Sequence, residues 1–198
     1  EQESADVFAL GGRIVARSKD GGRTLCSIDD LLLPGRHNLA NALAAISVGL
    51  MHGIDDRDIV ASLRSFEGVE HRLETVAEVE GVTYINDSIA TSPQRTRVAL
   101  ESMAGDLVLI AGGSDKGLDY ADLGEIITRK VRHLVLIGAT ADKIAKAIPE
   151  SHQTEIDLVS SLEEAVDVAA AAAPRGGSVL LSPASASFDM FRNFEERD

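Results

Sequence analysis

The sequence predicts an α/β fold over residues 70–198, with a mostly parallel sheet covered by helices on both faces. A β-hairpin and two helices precede it over residues 1–69. Three observations carry this reading. "DLVLIAGG" and "RHLVLIG" are short, unbroken apolar runs stopped by Gly, as expected of strands covered on both faces. Such runs alternate with helical patterns of about 10 to 13 residues, which implies parallel strands joined by right-handed crossovers. Before residue 70 this alternation is absent, and β-prone sequence is followed by two consecutive helical patterns.

Taken in order, residues 6–33 read as hairpin material: "VFALGGRIVAR", a polar "SKDGGR" turn, then "TLCSIDDLLL". "NLANALAAISVGLMHG" has apolar residues at helical spacing, with Asn38 as its expected N-cap and Gly53 as its C-cap. "DDRDIVASLRSFEG" predicts a second helix ending at Gly68. Beyond the junction, strands are expected near 73–79, 82–86, 107–111, 133–138 and 178–182. Helices are expected near 93–103, 119–130, 140–147, 161–173 and 186–196.

Composition narrows the function. The 198 residues are 44% hydrophobic and 26% charged, a soluble globular balance. No apolar run approaches the roughly 20 residues of a membrane span, and no signal peptide is visible. The opening "EQESADVF" and the closing "FEERD" both read as cuts from a longer chain. A net charge of −13, from 32 acidic and 19 basic residues without a basic cluster, argues against nucleic acid and for a soluble cytoplasmic protein. Any anionic ligand must then be held by a few placed cations and N–H groups. The single Cys26 excludes an internal disulfide and a Cys-rich zinc site, and reads as a small strand residue.

Ligands of open α/β sheets bind outside the carboxyl ends of the strands. Three polar or Gly-rich loops stand at such ends: "NDSIATSP" (86–93), "GGSDKGLD" (112–119) and "SPASAS" (182–187). "GGSDKGLD" is neither a P-loop nor a dinucleotide fingerprint, but it places Lys116 where a cation could hold a carboxylate or phosphate. "LSPASASFDMFRNFEER" sets serines before an expected amphipathic helix bearing Phe188, Phe191 and Phe194, so hydroxyls and N–H groups could form an anion site. "GRHNLAN" puts Asn38 and Asn41 one turn apart, and side-chain amides can read an adenine edge. "EHRLE" places His71 and Arg72 at the junction, where Arg72 could reach a phosphate. Each stretch also has a plain structural reading: an exposed loop Lys, an N-cap Asp119, capping serines over core Phe, an N-cap Asn, a salt bridge.

In order and spacing, "LPGRHNLANALAA", "GVEHRLE", "YINDSIATSP", "GGSDKGLD" and "LSPASASFDMFRNFEER" together resemble the Mur ligase family. The resemblance implies the end of a central ATPase domain over residues 1–69 and a Rossmann-like, amino-acid-binding domain over 70–198. Within the family, the tail and "NDS-AT" point to ligases that add D-glutamate to UDP-N-acetylmuramoyl-L-alanine, with ATP and Mg2+, through an acyl phosphate. By the same resemblance, Asn38 and Asn41 lie along adenine and Asp87 accepts from the ribose. Arg72 and Lys116 are the catalytic candidates, Arg72 toward the phosphates. Thr91 and Lys116 hold the α-carboxylate of D-glutamate, Ser187 and the Phe188 backbone hold its side-chain carboxylate, and Phe194 forms a wall. Ile89 stands where the family often has Lys, and Arg95 is the next cation along. The family's phosphate loop and magnesium-binding residues are expected upstream, so the chain alone is not expected to turn over ATP. Two other readings are a sister ligase, of Mur or folylpolyglutamate type, and a non-catalytic nucleotide- or anion-binding module.

Overall fold

The computed structural model describes residues 6–18, 21–33, 35–151 and 153–197. The chain divides into two compact units, one up to Gly68 and one from Val69 onward.

In the first unit, β1 (Asp6–Leu10), β2 (Arg13–Ser18) and β3 (Gly21–Ser27) form an antiparallel meander. The expected two-stranded hairpin is thus three strands, because Gly11 and Gly12 at positive φ turn the chain inside "VFALGGRIVAR". The "SKDGGR" turn falls partly on residues 19 and 20, outside the described residues. Helices α1 (Arg36–Met51) and α2 (Asp56–Ser65) follow. The N-cap of α1 is Gly35, at φ 101°, and Asn38 lies within the first turn instead of capping it. Gly53 takes the left-handed conformation just after the α1 C-cap, His52. Asp55 caps α2 by accepting from the Arg57 N–H at 2.8 Å. The core joins Ile14 and Cys26 of the sheet to Ile46 of α1 and Ile59 of α2.

The second unit is a six-stranded sheet in the order β4-β5-β9-β6-β7-β8. Its strands are β4 (Glu74–Val79), β5 (Val82–Asn86), β6 (Leu107–Gly112), β7 (Val131–Ile137), β8 (Glu155–Leu158) and β9 (Ser178–Leu181). Only the β4–β5 pairing is antiparallel. The helices are α3 (Pro93–Ser102), α4 (Ala121–Lys130), α5 (Ala141–Ala147) and α6 (Leu162–Ala172). Every residue of β6 is buried, as its unbroken apolar run requires. Leu107, Leu109 and Ala111 pack with α3, α4 and α5, whereas Val108 and Ile110 pack with α6. Strand alternation thus puts helices on both faces.

Two differences from expectation stand out. β8 is an edge strand with charged residues at Glu155 and Asp157, and only Ile156 gave an inward signal. No helix forms over 186–196; only a 3-10 turn at Glu195–Arg197 is present. There the carbonyl of Ser187 accepts from Met190 N and Phe191 N, at 3.1 and 2.8 Å, closing turns in place of a helical ladder. The Asp189 side chain is drawn away to other loops, as described below.

Candidate functional site

The carboxyl ends of β5, β6, β7 and β9 lie at one edge of the parallel sheet, and their loops are hydrogen-bonded to one another. Asp87 follows β5, and its N–H extends the ladder to Leu181 O at 2.8 Å. The residue is only 4% exposed. Oδ2 accepts from the Ser182 hydroxyl at 2.7 Å, and Oδ1 from the Leu73 N–H at 3.3 Å. The Ser182 hydroxyl is also 3.0 Å from Thr96 Oγ1, so a buried polar cluster joins β5, β9 and α3. Burial pushes the Asp87 carboxyl up to about 6, against the opposing pull of Ser182, the Leu73 N–H, Arg72 and Arg95.

The segment before β4 is stitched to the same loop. His71 and Leu73 adopt positive φ, 64° and 48°, rare for non-Gly residues. The turn is secured by His71 N donating to Glu74 Oε2 at 2.8 Å and Ile89 N donating to His71 O at 3.3 Å. Arg72, between them, is exposed, and its charge bears on Asp87. The ring of Phe194 meets that of His71 edge-on, with centroids 5.7 Å apart.

Lys116, exposed on the β6–α4 loop, places Nζ 3.5 Å from the carbonyl of Thr91 on the β5–α3 loop. Arg95 reaches back from α3 and donates to Ile89 O at 2.9 Å, so a guanidinium stands beside the position that lacks a lysine. The segment after β9 crosses the end of β6: Ser114 N donates to Ala186 O at 2.8 Å, in an isolated antiparallel bridge. This approach needs Gly113, because a Cβ there would collide with the Ala186 carbonyl. Ser187 is buried next to this bridge, while Phe188 is 72% exposed. Without a helix after Ser187, the anion-binding helix N-terminus expected there does not exist; the cations on these loops include Lys116, Arg72 and Arg95.

The structure therefore brings Arg72, Asp87, Thr91, Lys116, Ser187, Phe188 and Phe194 into one set of linked loops of the second unit. Asn38 and Asn41 belong to the first unit, on α1, half-buried and exposed respectively.

Several residues of this edge carried no sequence signal. Ser185 is fully buried, with its hydroxyl 2.9 Å from Tyr120 OH and 2.8 Å from Thr140 Oγ1. Arg197, 1% exposed, donates to Ser88 O at 2.8 Å and to Ser185 O at 3.2 Å, tying the β5 loop to the β9 loop. Isolated hydroxyls and a terminal Arg in an acidic run have no periodicity to betray burial. Only the density of serines in "SPASAS" pointed here.

Residues 71–185 match the family described as "Mur ligase, glutamate ligase domain". The whole chain aligns at 50% identity with a UDP-N-acetylmuramoylalanine–D-glutamate ligase of Caldanaerobacter subterraneus, and covers 46% of it. A ligase of the same name from Pelotomaculum thermopropionicum is 46% identical over 96% of the chain, which covers 42% of that relative. The chain thus spans less than half the length of these curated relatives. Among solved structures, a pseudomurein peptide ligase type C from Methanothermus fervidus superposes with a TM-score of 0.69 at 18% identity, over 91% of this chain and 39% of that one. The UDP-N-acetylmuramate-alanine ligase from Thermotoga maritima gives 0.65 at 18% identity, over 90% and 41%. At such identities the structural likeness concerns the fold alone.

Proposed function

The chain belongs to the Mur ligase family through its glutamate ligase domain, and from that premise we propose that it is the carboxyl-terminal part of an ATP-dependent ligase joining D-glutamate to UDP-N-acetylmuramoyl-L-alanine. Residues 1–69 would close a central nucleotide-binding domain, and 70–198 would bind the incoming amino acid. The observation that carries the reading is the 50% identity, over the entire chain, to a relative named for that reaction. With ATP and a UDP-linked substrate, the proposed reaction would be cytoplasmic. No helix among the described residues is long and apolar enough to cross a membrane.

In the proposed reaction, ATP supplies the phosphoryl group that converts the muramoyl-alanine carboxylate into an acyl phosphate. The D-glutamate amine attacks that carbonyl, and phosphate leaves as the amide forms. This chain's part is binding and orientation. Lys116 and Thr91, already adjacent, would hold the α-carboxylate through a charge-assisted hydrogen bond. Ser187 and the Phe188 backbone would take the side-chain carboxylate, with Phe194 as a wall on His71. Arg95, at the Ile89 carbonyl, would supply the cation that Ile89 cannot. For the nucleotide, Asp87 fits a ribose hydroxyl through Oδ1, whose one backbone contact is long at 3.3 Å. Arg72 is exposed and fits a phosphate, and Asn38 and Asn41 would line the adenine. Among the described residues no group of three or more His, Cys, Asp or Glu is placed to hold a metal; magnesium carried by ATP would need only one or two carboxylates beside the phosphates and water.

The test is kinetic, in the complete ligase. A charge-assisted hydrogen bond contributes about 1.5–3 kcal/mol, so Lys116→Ala should lower kcat/KM for D-glutamate roughly 10- to 150-fold. ATP binding should change far less. Asp87→Ala should instead raise mainly the KM for ATP, because a contact remote from the reacting phosphate contributes uniform binding. Equal losses toward both substrates in both variants would remove the assignment.

A further inference from the structure

The stretch holding Ser187 is pinned on both sides. Before it, the Ser185 hydroxyl is buried between Tyr120 OH and Thr140 Oγ1, and Ala186 O accepts from Ser114 N. After it, the Asp189 carboxylate reaches two different loops. Oδ1 accepts from the Ser114 hydroxyl at 3.1 Å, and Oδ2 accepts from the Ala139 N–H at 2.9 Å. Gly138 makes the room, because a Cβ there would run into Asp189 Oδ2. Ser114 is therefore held twice by the tail, through its N–H and its hydroxyl, and Lys116 lies two residues further along the same loop.

We propose that Asp189 is a positioning residue that fixes the spacing between Ser187 and Lys116 by fastening the tail to the loops after β6 and β7. This rests on the functional reading above, since the groups being spaced are those assigned to the two carboxylates of D-glutamate. A dicarboxylate held at both ends is sensitive to the distance between its binders, and a loss seen in KM with kcat unchanged is a loss of uniform binding. The role belongs to hydrogen-bond geometry and not to charge. Asn at 189 can still accept from Ala139 N–H, and its amide can donate to the Ser114 hydroxyl turned to accept.

The experiment has two arms. In the 198-residue chain, hydrogen exchange of the Ala139 amide should quicken roughly 2- to 10-fold in Asp189→Ala, the scale of one lost hydrogen bond. It should stay near the wild-type rate in Asp189→Asn, while core amides of β6 are unchanged in both. In the complete ligase, Asp189→Ala should raise KM for D-glutamate about tenfold with kcat and KM for ATP little changed, and Asp189→Asn should restore it. Unchanged Ala139 exchange in Asp189→Ala overturns the proposal, as does an Asn variant as impaired as Ala. If exchange responds as expected but the complete enzyme does not use D-glutamate, the functional reading fails. The fastening of the tail then stands as a structural fact without the substrate assigned to it.

Discussion

Asp87 follows β5 as a carboxylate buried at the edge of the sheet, with its N–H on Leu181 O. The sequence offered an acidic group at the end of a strand, but not the burial that raises its carboxyl to about 6. The contacts that accompany this burial are remote in sequence: Ser182, 95 positions away, and the Leu73 N–H both donate to the carboxylate and pull against the shift. The direction of the shift gives a signed prediction. A carboxyl with a raised folded-state value favours folding when protonated. Its contribution is fully present below the unfolded value near 3.8 and is lost as pH rises through about 6. The ionised, desolvated Asp87 is thus a cost at neutral pH, by linkage up to about 3 kcal/mol. Asp87→Asn keeps an acceptor for Ser182 and removes the titration. Thermal melts from pH 4 to 8 should show the variant gaining on the wild type as pH rises, and equalling or exceeding it above pH 6. Parallel pH profiles for the two proteins would count against this account. The buried Arg197 is a starker case: its side chain joins Ser88 to Ser185 across the fold, and nothing local in "FEER" marks it.

At the scale of elements, what periodicity dictates came through and what tertiary contacts dictate did not. The runs of β6 and β7 and the spacing of α3, α4 and α6 were readable because burial on two faces, or on one stripe, leaves a regular pattern. The tail has an equally helical pattern, with Phe188, Phe191 and Phe194, yet its bonds to neighbouring loops outweigh a marginal helix. Gly124 of α4 is a further instance in which packing overrides propensity. Gly in a helix interior ordinarily costs about 1 kcal/mol relative to Ala. Here an added Cβ would collide with the backbone carbonyl of Ala147 at the end of α5, a partner that cannot rotate away. Gly124→Ala should therefore destabilise, by about 1–3 kcal/mol net, as overpacking does. Gly49 of α1 provides the control, since its Cβ would meet only side-chain atoms, of Ile59 from 3.2 Å and of Ile54 at 3.8 Å, and no backbone. Gly49→Ala should stay within about 1 kcal/mol of wild type. Urea midpoints at constant m separate the two, and a stabilised Gly124→Ala protein would refute the close-packing account.

At the scale of the whole molecule, the change of rhythm near residue 70 was readable because the two halves obey different rules, a meander with two helices and then strand–helix alternation. The division has an energetic counterpart, since each unit has its own core. The first relies on a cluster of Ile14, Cys26, Ile46 and Ile59. The second has two larger clusters, one on each face of its sheet. Stability scales with the apolar area a unit can bury, so the smaller unit should open first. Calorimetry of the 198-residue chain should then show two transitions, with the lower one belonging to residues up to Gly68. Substitutions assign them. Ile46→Ala removes a buried side chain of α1, at a cost of about 2–5 kcal/mol, and should lower or abolish only the first transition. Leu109→Ala, in the centre of β6, should lower only the second. One sharp transition that both substitutions shift together would show that the two cores unfold as a single cooperative unit.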